Sequence, residues 1–179
     1  MQNRHGITPG QLLVATPALD SGAFEKSVIL ITEHHDRGTI GFMLNKPTTT
    51  TLDQLMAQRG IDWADPHGIY SGGPVNLGAL ILLHTDEWYS SNTMQVGSEV
   101  AISSDTFMFE KISTNNTPKQ MRFLQGMSVW ALGQLDHEMD QNAWLTCWPK
   151  DNIIFKYTGS AQWRHALEQC ATQSVAQFF

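Results

Sequence analysis

The side chains of this chain best suited to chemistry fall in a few short stretches. His34, His35 and Asp36 are consecutive, His84 closes an apolar run, and Glu138 follows Gln134 by four residues. Imidazoles and carboxylates of these kinds ligate zinc. Adjacent histidines on an extended chain point to opposite faces, however, so His34 and His35 do not share one ion. With no H-x-x-x-H or C-x-x-C pair in support, they read as solvated turn histidines, and no metal is assigned. His84 reads as a core-edge histidine bonded to backbone, with general base as the alternative. Gln134 and Glu138 share one helix face at i, i+4, which supplies either a donor–acceptor pair and a carboxylate base to a pocket, or a brace to a neighbouring strand. The brace is the preferred reading.

A nucleophile needs a serine or cysteine beside a base. Ser71 precedes Gly72-Gly73, whose small size permits close approach, but the G-x-S-x-G elbow is missing. Cys147 lies in a tryptophan-flanked apolar run and reads as an inert buried thiol. Cys170 falls on the inward stripe of a helix, and two cysteines are too few for a disulfide framework. Gly72-Gly73 can cup an anion with backbone N–H groups, with Lys46 adding charge. No G-x-x-x-x-G-K-[ST] or G-x-G-x-x-G supports a nucleotide, so a tight turn is preferred. Asn45, before Lys46-Pro47, either rims a pocket or ends a strand by capping free backbone groups. The ligand-binding candidates are therefore Asn45, Lys46, Gly72, Gly73, His84, Gln134 and Glu138, with no catalytic set and no cofactor.

The elements that must position them are legible from periodicity. Strands are predicted over 11–15, 27–33, 39–45, 68–71, 79–84, 90–96, 99–103, 122–127, 143–148 and 152–157. The 27–33 run is continuously apolar, as for a strand covered on both faces. Helices are predicted from a Thr50-Thr51 cap toward Gly60, from Ser104-Asp105 through Ile112, over 130–139, and over 160–171. Trp130, Trp144 and Trp163 read as core anchors. Together these make one α+β domain over residues 1–179, mostly antiparallel, with helices inserted between strands.

Composition narrows the function classes. Of 179 residues, 41% are hydrophobic and 16% charged, which suits a globular chain with a substantial core. The net charge is −6, and the eleven Lys and Arg residues are spread along the chain, so no basic stripe neutralises successive phosphates. No helix-turn-helix spelling is present, and direct nucleic-acid binding is not expected. The apolar runs 28–31 and 79–83 are far too short to span a membrane, and no signal-peptide core follows Met1 to Gly6. A cytoplasmic protein without membrane contact is the expectation.

Seven stretches, in order, carry a resemblance: Gly10 to Pro17, Phe24 to His34, Gly41 to Pro47, Gly72 to Val75, Leu83-His84, Gly133 to Glu138 and Asn142 to Leu145. Together they resemble the YqgE/AlgH family of bacterial proteins over roughly residues 10 to 167. The resemblance implies a branched, mostly antiparallel sheet folded into a pseudo-barrel with flanking helices. It brings no catalytic residues. Members often carry a transcriptional-regulator label that rests on genetics and not on a DNA-binding motif. Two departures stand out: Val129 precedes Trp130 where the pattern favours glycine, and Phe178-Phe179 stands where a Gly- and Ala-containing tail is common.

The leading expectation is a non-enzymatic binding or regulatory module that recognises a protein or small-molecule ligand through the Asn-Lys-Pro and Gly-Gly-Pro rims. The alternative is a small hydrolase or transferase with His84 or Glu138 as general base. Convergence of Asn45, His84, Gln134 and Glu138 in one concave pocket favours the enzyme. Separate, internally bonded braces favour the module.

Overall fold

A computed structural model describes residues 3–176, and in it the apolar runs become strands of one ten-stranded sheet. β1 (Leu12–Ala15), β2 (Val28–His35) and β3 (Gly38–Met43) form an antiparallel meander, with Asp36-Arg37 as the turn between β2 and β3. Alternation divides these strands between two cores. Leu12, Val14, Val28 and Leu30 face one apolar cluster, while Leu13, Ala15, Ile29 and Ile31 face another built around Trp130 and Trp144. A strand covered on both faces has no polar side, which is why the 28–31 run is uninterrupted.

β4 (Pro47–Thr51) leads into α1 (Leu52–Gln58), which buries Leu52, Leu55 and Met56. β5 (Gly68–Ser71), β6 (Val75–Thr85), β7 (Met94–Val96) and β8 (Val100–Ser103) follow, then α2 (Thr106–Ser113), capped by the Asp105 carboxylate accepting from Met108 N–H at 2.9 Å. β9 (Met121–Ala131) is the branch point: it pairs with β6 along one edge and with β5, then β3, along the other. α3 (Gln134–Asp140), β10 (Trp144–Cys147), α4 (Ile153–Lys156) and α5 (Gly159–Ala176) complete the described chain. The main strand order is β10-β1-β2-β3-β9-β6-β8-β7.

Twist and the register shifts in β2 and β6 curl this sheet into a half-barrel. Its far ends approach at one point. Gly10, just before β1, packs on Gly97 in the β7–β8 turn so closely that a Cβ at Gly10 would lie 2.8 Å from the Gly97 Cα. The fold is thus α+β, with five helices among the described residues on a mostly antiparallel half-barrel in which only the β5–β9 pair of the described strands runs parallel.

Four expectations are corrected. Residues 152–157 hold one helical turn and not a strand. Asp151 and Asn152, both at positive φ, bend the chain there, and side chains take the carbonyls that a ladder would have used. Trp130 belongs to β9, opposite Thr39, and the following helix starts only after Gly133, whose φ of 78° ends the extended run. Leu132, inside the helix expected over 130–139, falls in the turn before α3 and is exposed. Cys147 and Cys170 are bonded to each other: α5 packs back over β10 and brings their Cα atoms to 4.9 Å, within disulfide reach despite a separation of 23 residues. Phe178 and Phe179 lie outside the described residues.

Candidate functional site

Asn45, just beyond β3, is buried, and each polar atom of its amide is bonded inside the protein. Oδ1 accepts from Val28 N–H at 2.9 Å, while Nδ2 donates to the carbonyls of Lys26 at 2.9 Å and Gly159 at 3.0 Å. One side chain therefore ties β3, the entry to β2 and the first residue of α5. The Lys46 ammonium donates to the Glu25 carbonyl. Burial pushes its pKa below the usual lysine value, opposed in part by the Glu25 carboxylate.

The two punctuated stretches do meet, but backbone to backbone. Ser71 N–H donates to the Lys46 carbonyl, Gly72 N–H to the Gln125 carbonyl, and Met43 N–H to the Gly72 carbonyl, each at 2.8 Å. The Ser128 hydroxyl adds a bond to the Gly72 carbonyl at 3.0 Å. A Cβ at Gly72 would strike the Gly126 carbonyl, and one at Gly73, with φ +146°, the Met127 carbonyl. Glycine is needed for strand crossing here. An anion nest needs free N–H groups, and that of Gly72 is already given.

Glu138 and Gln134 sit on α3, facing the second core. Glu138 Oε2 accepts the indole N–H of Trp130 at 3.0 Å and of Trp144 at 2.7 Å, and Oε1 accepts from Gln134 Nε2 at 3.3 Å. Gln134 Oε1 also accepts from Ala131 N–H at 3.1 Å. Two tryptophans whose rings meet edge to face at 6.0 Å thus share one carboxylate.

His84, fully buried on β6, donates from Nδ1 to the Thr85 carbonyl at 2.9 Å. That leaves Nε2 to accept from the Ser103 hydroxyl at 2.9 Å, with Thr93 Oγ1 bonded to Ser103 at 2.7 Å behind it. Desolvation pushes the imidazole's pKa below its ordinary value, so it is neutral at pH 7. The Ser103–His84 spacing is that of a nucleophile–base pair, yet both side chains are buried, with the Trp88 ring 4.9 Å from the imidazole. His84, the Glu138–Gln134 pair and Asn45 occupy three separate places. Among the described residues no three His, Cys, Asp or Glu side chains converge as a metal site would.

The concave surface lies elsewhere. A cleft of about 310 Å³ opens where the half-barrel fails to close, between the β7–β8 turn and the segment from Trp148 to Phe155. Val96, Val100, Trp148, Ile153, Ile154 and Phe155 give it apolar walls, and Glu99, Gln120 and Lys150 supply polar groups. Trp148 is 47% exposed, a large aromatic surface for a residue beside the core.

Two devices hold the wall from Trp148 to Phe155. On α5, Gln173 Oε1 accepts from Trp148 N–H at 3.0 Å and its Nε2 donates to the Trp148 carbonyl at 2.8 Å. Gln169 does the same for Lys150, at 3.0 and 3.2 Å. With the Cys147–Cys170 bond beside them, these amides dock an extended segment onto a helix as if onto another strand. The second device is buried. Gln162 Nε2 donates to the carbonyls of Ile153 at 2.9 Å and Ile154 at 3.0 Å, while its Oε1 accepts from the Arg122 guanidinium at 2.9 Å. Arg122 also donates to the carbonyls of Leu44 at 2.6 Å and Tyr157 at 3.0 Å and lies 4.4 Å from the Tyr70 ring centre. Burial pushes its pKa down, opposed by Tyr70. Among the described residues no carboxylate pairs with it. Carbonyls, an amide and a ring stabilise this charge in place of a counter-ion.

The AlgH-like family profile matches residues 12–174 of the chain. The protein belongs to the AlgH-like family. A UPF0301 protein of Xanthomonas oryzae pv. oryzae is 34% identical over 162 residues, 87% of this chain and 85% of that one. Another from Rhizobium etli is 32% identical over 179 residues, covering 93% and 89%. The solution structure of AlgH from Pseudomonas aeruginosa superposes with a TM-score of 0.78 at 26% identity, covering 94% of this chain and 92% of that one. The crystal structure of DIP2367 from Corynebacterium diphtheriae gives 0.74 at 24% identity, covering 93% and 89%, and speaks to the fold alone. The AlgH-like half-barrel is therefore a shared scaffold, on which the cleft sits at the unclosed seam.

None of the seven candidates from the sequence lines this cleft, although Thr85, whose carbonyl accepts from His84, is among its lining residues. A signal for part of its support was present. Gln162, Ala166, Gln169, Cys170 and Gln173 recur at i, i+4, i+7, i+8 and i+11, a helix stripe in which glutamines take buried or half-buried places. Trp148 has the same strand parity as the buried Trp144, so alternation along the chain gives no sign of its exposure.

Proposed function

We propose that this AlgH-like protein is a non-enzymatic binding module whose ligand occupies the cleft between the β7–β8 turn and the 148–155 segment. The observation that carries this reading is the cleft itself: apolar walls, an exposed indole and a few polar groups, at the lower end of the usual volume for small-molecule sites. The acid, base and amide groups most suited to catalysis are bonded into the scaffold at other places, which supports binding over hydrolysis or group transfer. Any regulatory role then runs through the bound ligand or a partner that senses it, in the cytoplasm, and not through direct reading of DNA. The Asn45–Lys46 and Gly72-Gly73 stretches serve this function as scaffold.

Titration with the apolar fluorophore N-phenyl-1-naphthylamine tests the reading. Saturable binding to the native protein is expected, with loss in Ser98→Trp, whose exposed side chain would fill the cleft, while the circular-dichroism melt stays cooperative. Undiminished binding in that variant, or none to the native protein, overturns the proposal.

A further inference from the structure

The cleft does not end at its apolar walls. A second, shallower bay of about 440 Å³ adjoins it and shares Lys150 and Ile153 with it. Its character differs. Besides Lys150 it presents Lys156, Tyr157 and His165, with Asp151 as its one carboxylate. The Tyr157 and His165 rings stack at 4.0 Å with 19° between planes, and the Lys156 ammonium lies 5.2 Å from the Tyr157 ring centre. These contacts fix the position of the bay's wall.

Among the described residues, the ammonium groups of Lys150 and Lys156 lie within 4.0 Å of no carboxylate, whereas the five ion pairs present involve other residues. Most surface charge on this protein is negative, so an anion approaching from afar is repelled. At physiological salt, however, exposed charges are screened beyond about 8 Å. Contact with two unpaired ammonium groups then outweighs the distant acids.

Resting on the reading of the cleft as a binding site, we propose that its ligand is an amphipathic organic anion. An aromatic or branched apolar body lies against Trp148, Ile154 and Phe155, and a carboxylate or phosphate extends past Lys150 into the bay, between Lys150 and Lys156. Glu99, on the opposite wall, faces the apolar body and accepts a hydrogen bond from any donor there. It also disfavours a ligand bound in reverse, with its anionic end toward the β7–β8 turn.

Four probes of one shape separate the parts: 2-naphthoate, 2-naphthyl phosphate, neutral 2-naphthamide and 2-naphthylmethylammonium. Their affinities are measured by calorimetry or ligand-observed NMR, since fragments of this size bind in about the millimolar range. We expect the anions to bind about fivefold tighter than the amide, as two partly exposed charge contacts allow, with the ammonium weakest. The ranking of the two anions tells carboxylate from phosphate. The anion advantage shrinks in high salt and disappears in K150Q/K156Q, while the exposed substitutions leave the melt intact.

Equal binding of amide and anions to the native protein overturns the inference but leaves the cleft reading standing. So does an anion advantage that survives in K150Q/K156Q, and an ammonium that binds tightest assigns the polar end to Glu99 and Asp151 instead. If no probe, the amide included, saturates the native protein, the cleft reading falls and this inference with it.

Discussion

The closed polar knots and the open cleft are built from opposite materials. At Asn45, His84 and Glu138 the side chains with the richest chemistry have their hydrogen-bonding atoms turned inward, onto backbone, hydroxyl or indole partners. At the cleft the walls are valine, isoleucine, phenylalanine and tryptophan, and the free polar groups are a few charged ends. A buried polar group left unpaired costs about 1–3 kcal/mol. Chemical potential in the sequence therefore points first to where the fold needs satisfied hydrogen bonds. On the proposed reading, the apolar walls left open at the cleft are where a ligand goes.

If that contrast holds, damage to a knot lowers stability with the cleft intact, and damage to the cleft lowers binding with stability intact. The largest effect is expected for Asn45→Ala, which orphans Val28 N–H and two carbonyls and should cost about 4 kcal/mol, read as a lowered denaturation midpoint. A folded, equally stable Asn45→Ala that fails to bind probe would break the comparison, because Asn45 would then be a ligand group. Next comes the Cys147–Cys170 bond. Replacing both by serine should cost about 3 kcal/mol, from the loop that a separation of 23 residues closes, with guanidinium melts as the measure. Glu138→Gln should cost about 1–2 kcal/mol, since a neutral amide oxygen accepts the two indole N–H groups more weakly than the charged Oε2 does, and its NH2 would face the Gln134 Nε2 donor. A shift in near-ultraviolet circular dichroism should accompany it.

His84 sharpens the contrast through pH. Its folded pKa is depressed by burial, below an ordinary value of 6.5, so the unfolded chain takes up a proton first. Its stabilising contribution is complete above that value and is lost as pH falls through the folded pKa. Urea midpoints should fall as pH drops below about 6.5, and the slope should flatten in His84→Asn. An unchanged slope would mean that another group carries the titration. The smallest stability effect is expected at the cleft: Trp148→Ala should stay within about 1 kcal/mol of native stability while binding of the apolar probe weakens.

The strand and helix pattern was legible wherever one physical cause dominated. The continuous apolar run at 28–31, β-branched except at Leu30, meant a strand covered on both faces, and Asp105 meant a helix cap. Legibility failed where long-range partners override local preference. Ile153, Ile154 and Phe155 have strand-like propensity, but Gln162 and Arg122 bind the local carbonyls and hold a helical turn. Glu138 was open to two readings until Trp130 and Trp144, one on β9 and one on β10, were brought to it.

By itself the sequence determined the α+β class, most element positions, the family and the inward apolar faces, because those follow from periodicity and turn chemistry along neighbouring residues. Tertiary structure alone decided the rest. Two cysteines become a disulfide because α5 returns over β10. The Asn45, His84 and Glu138 side chains each bond partners on other elements, which arrive only through the fold. A cleft exists because Gly10 meets Gly97 at the seam without the sheet ends pairing, and a gap between elements far apart in the chain has no local spelling.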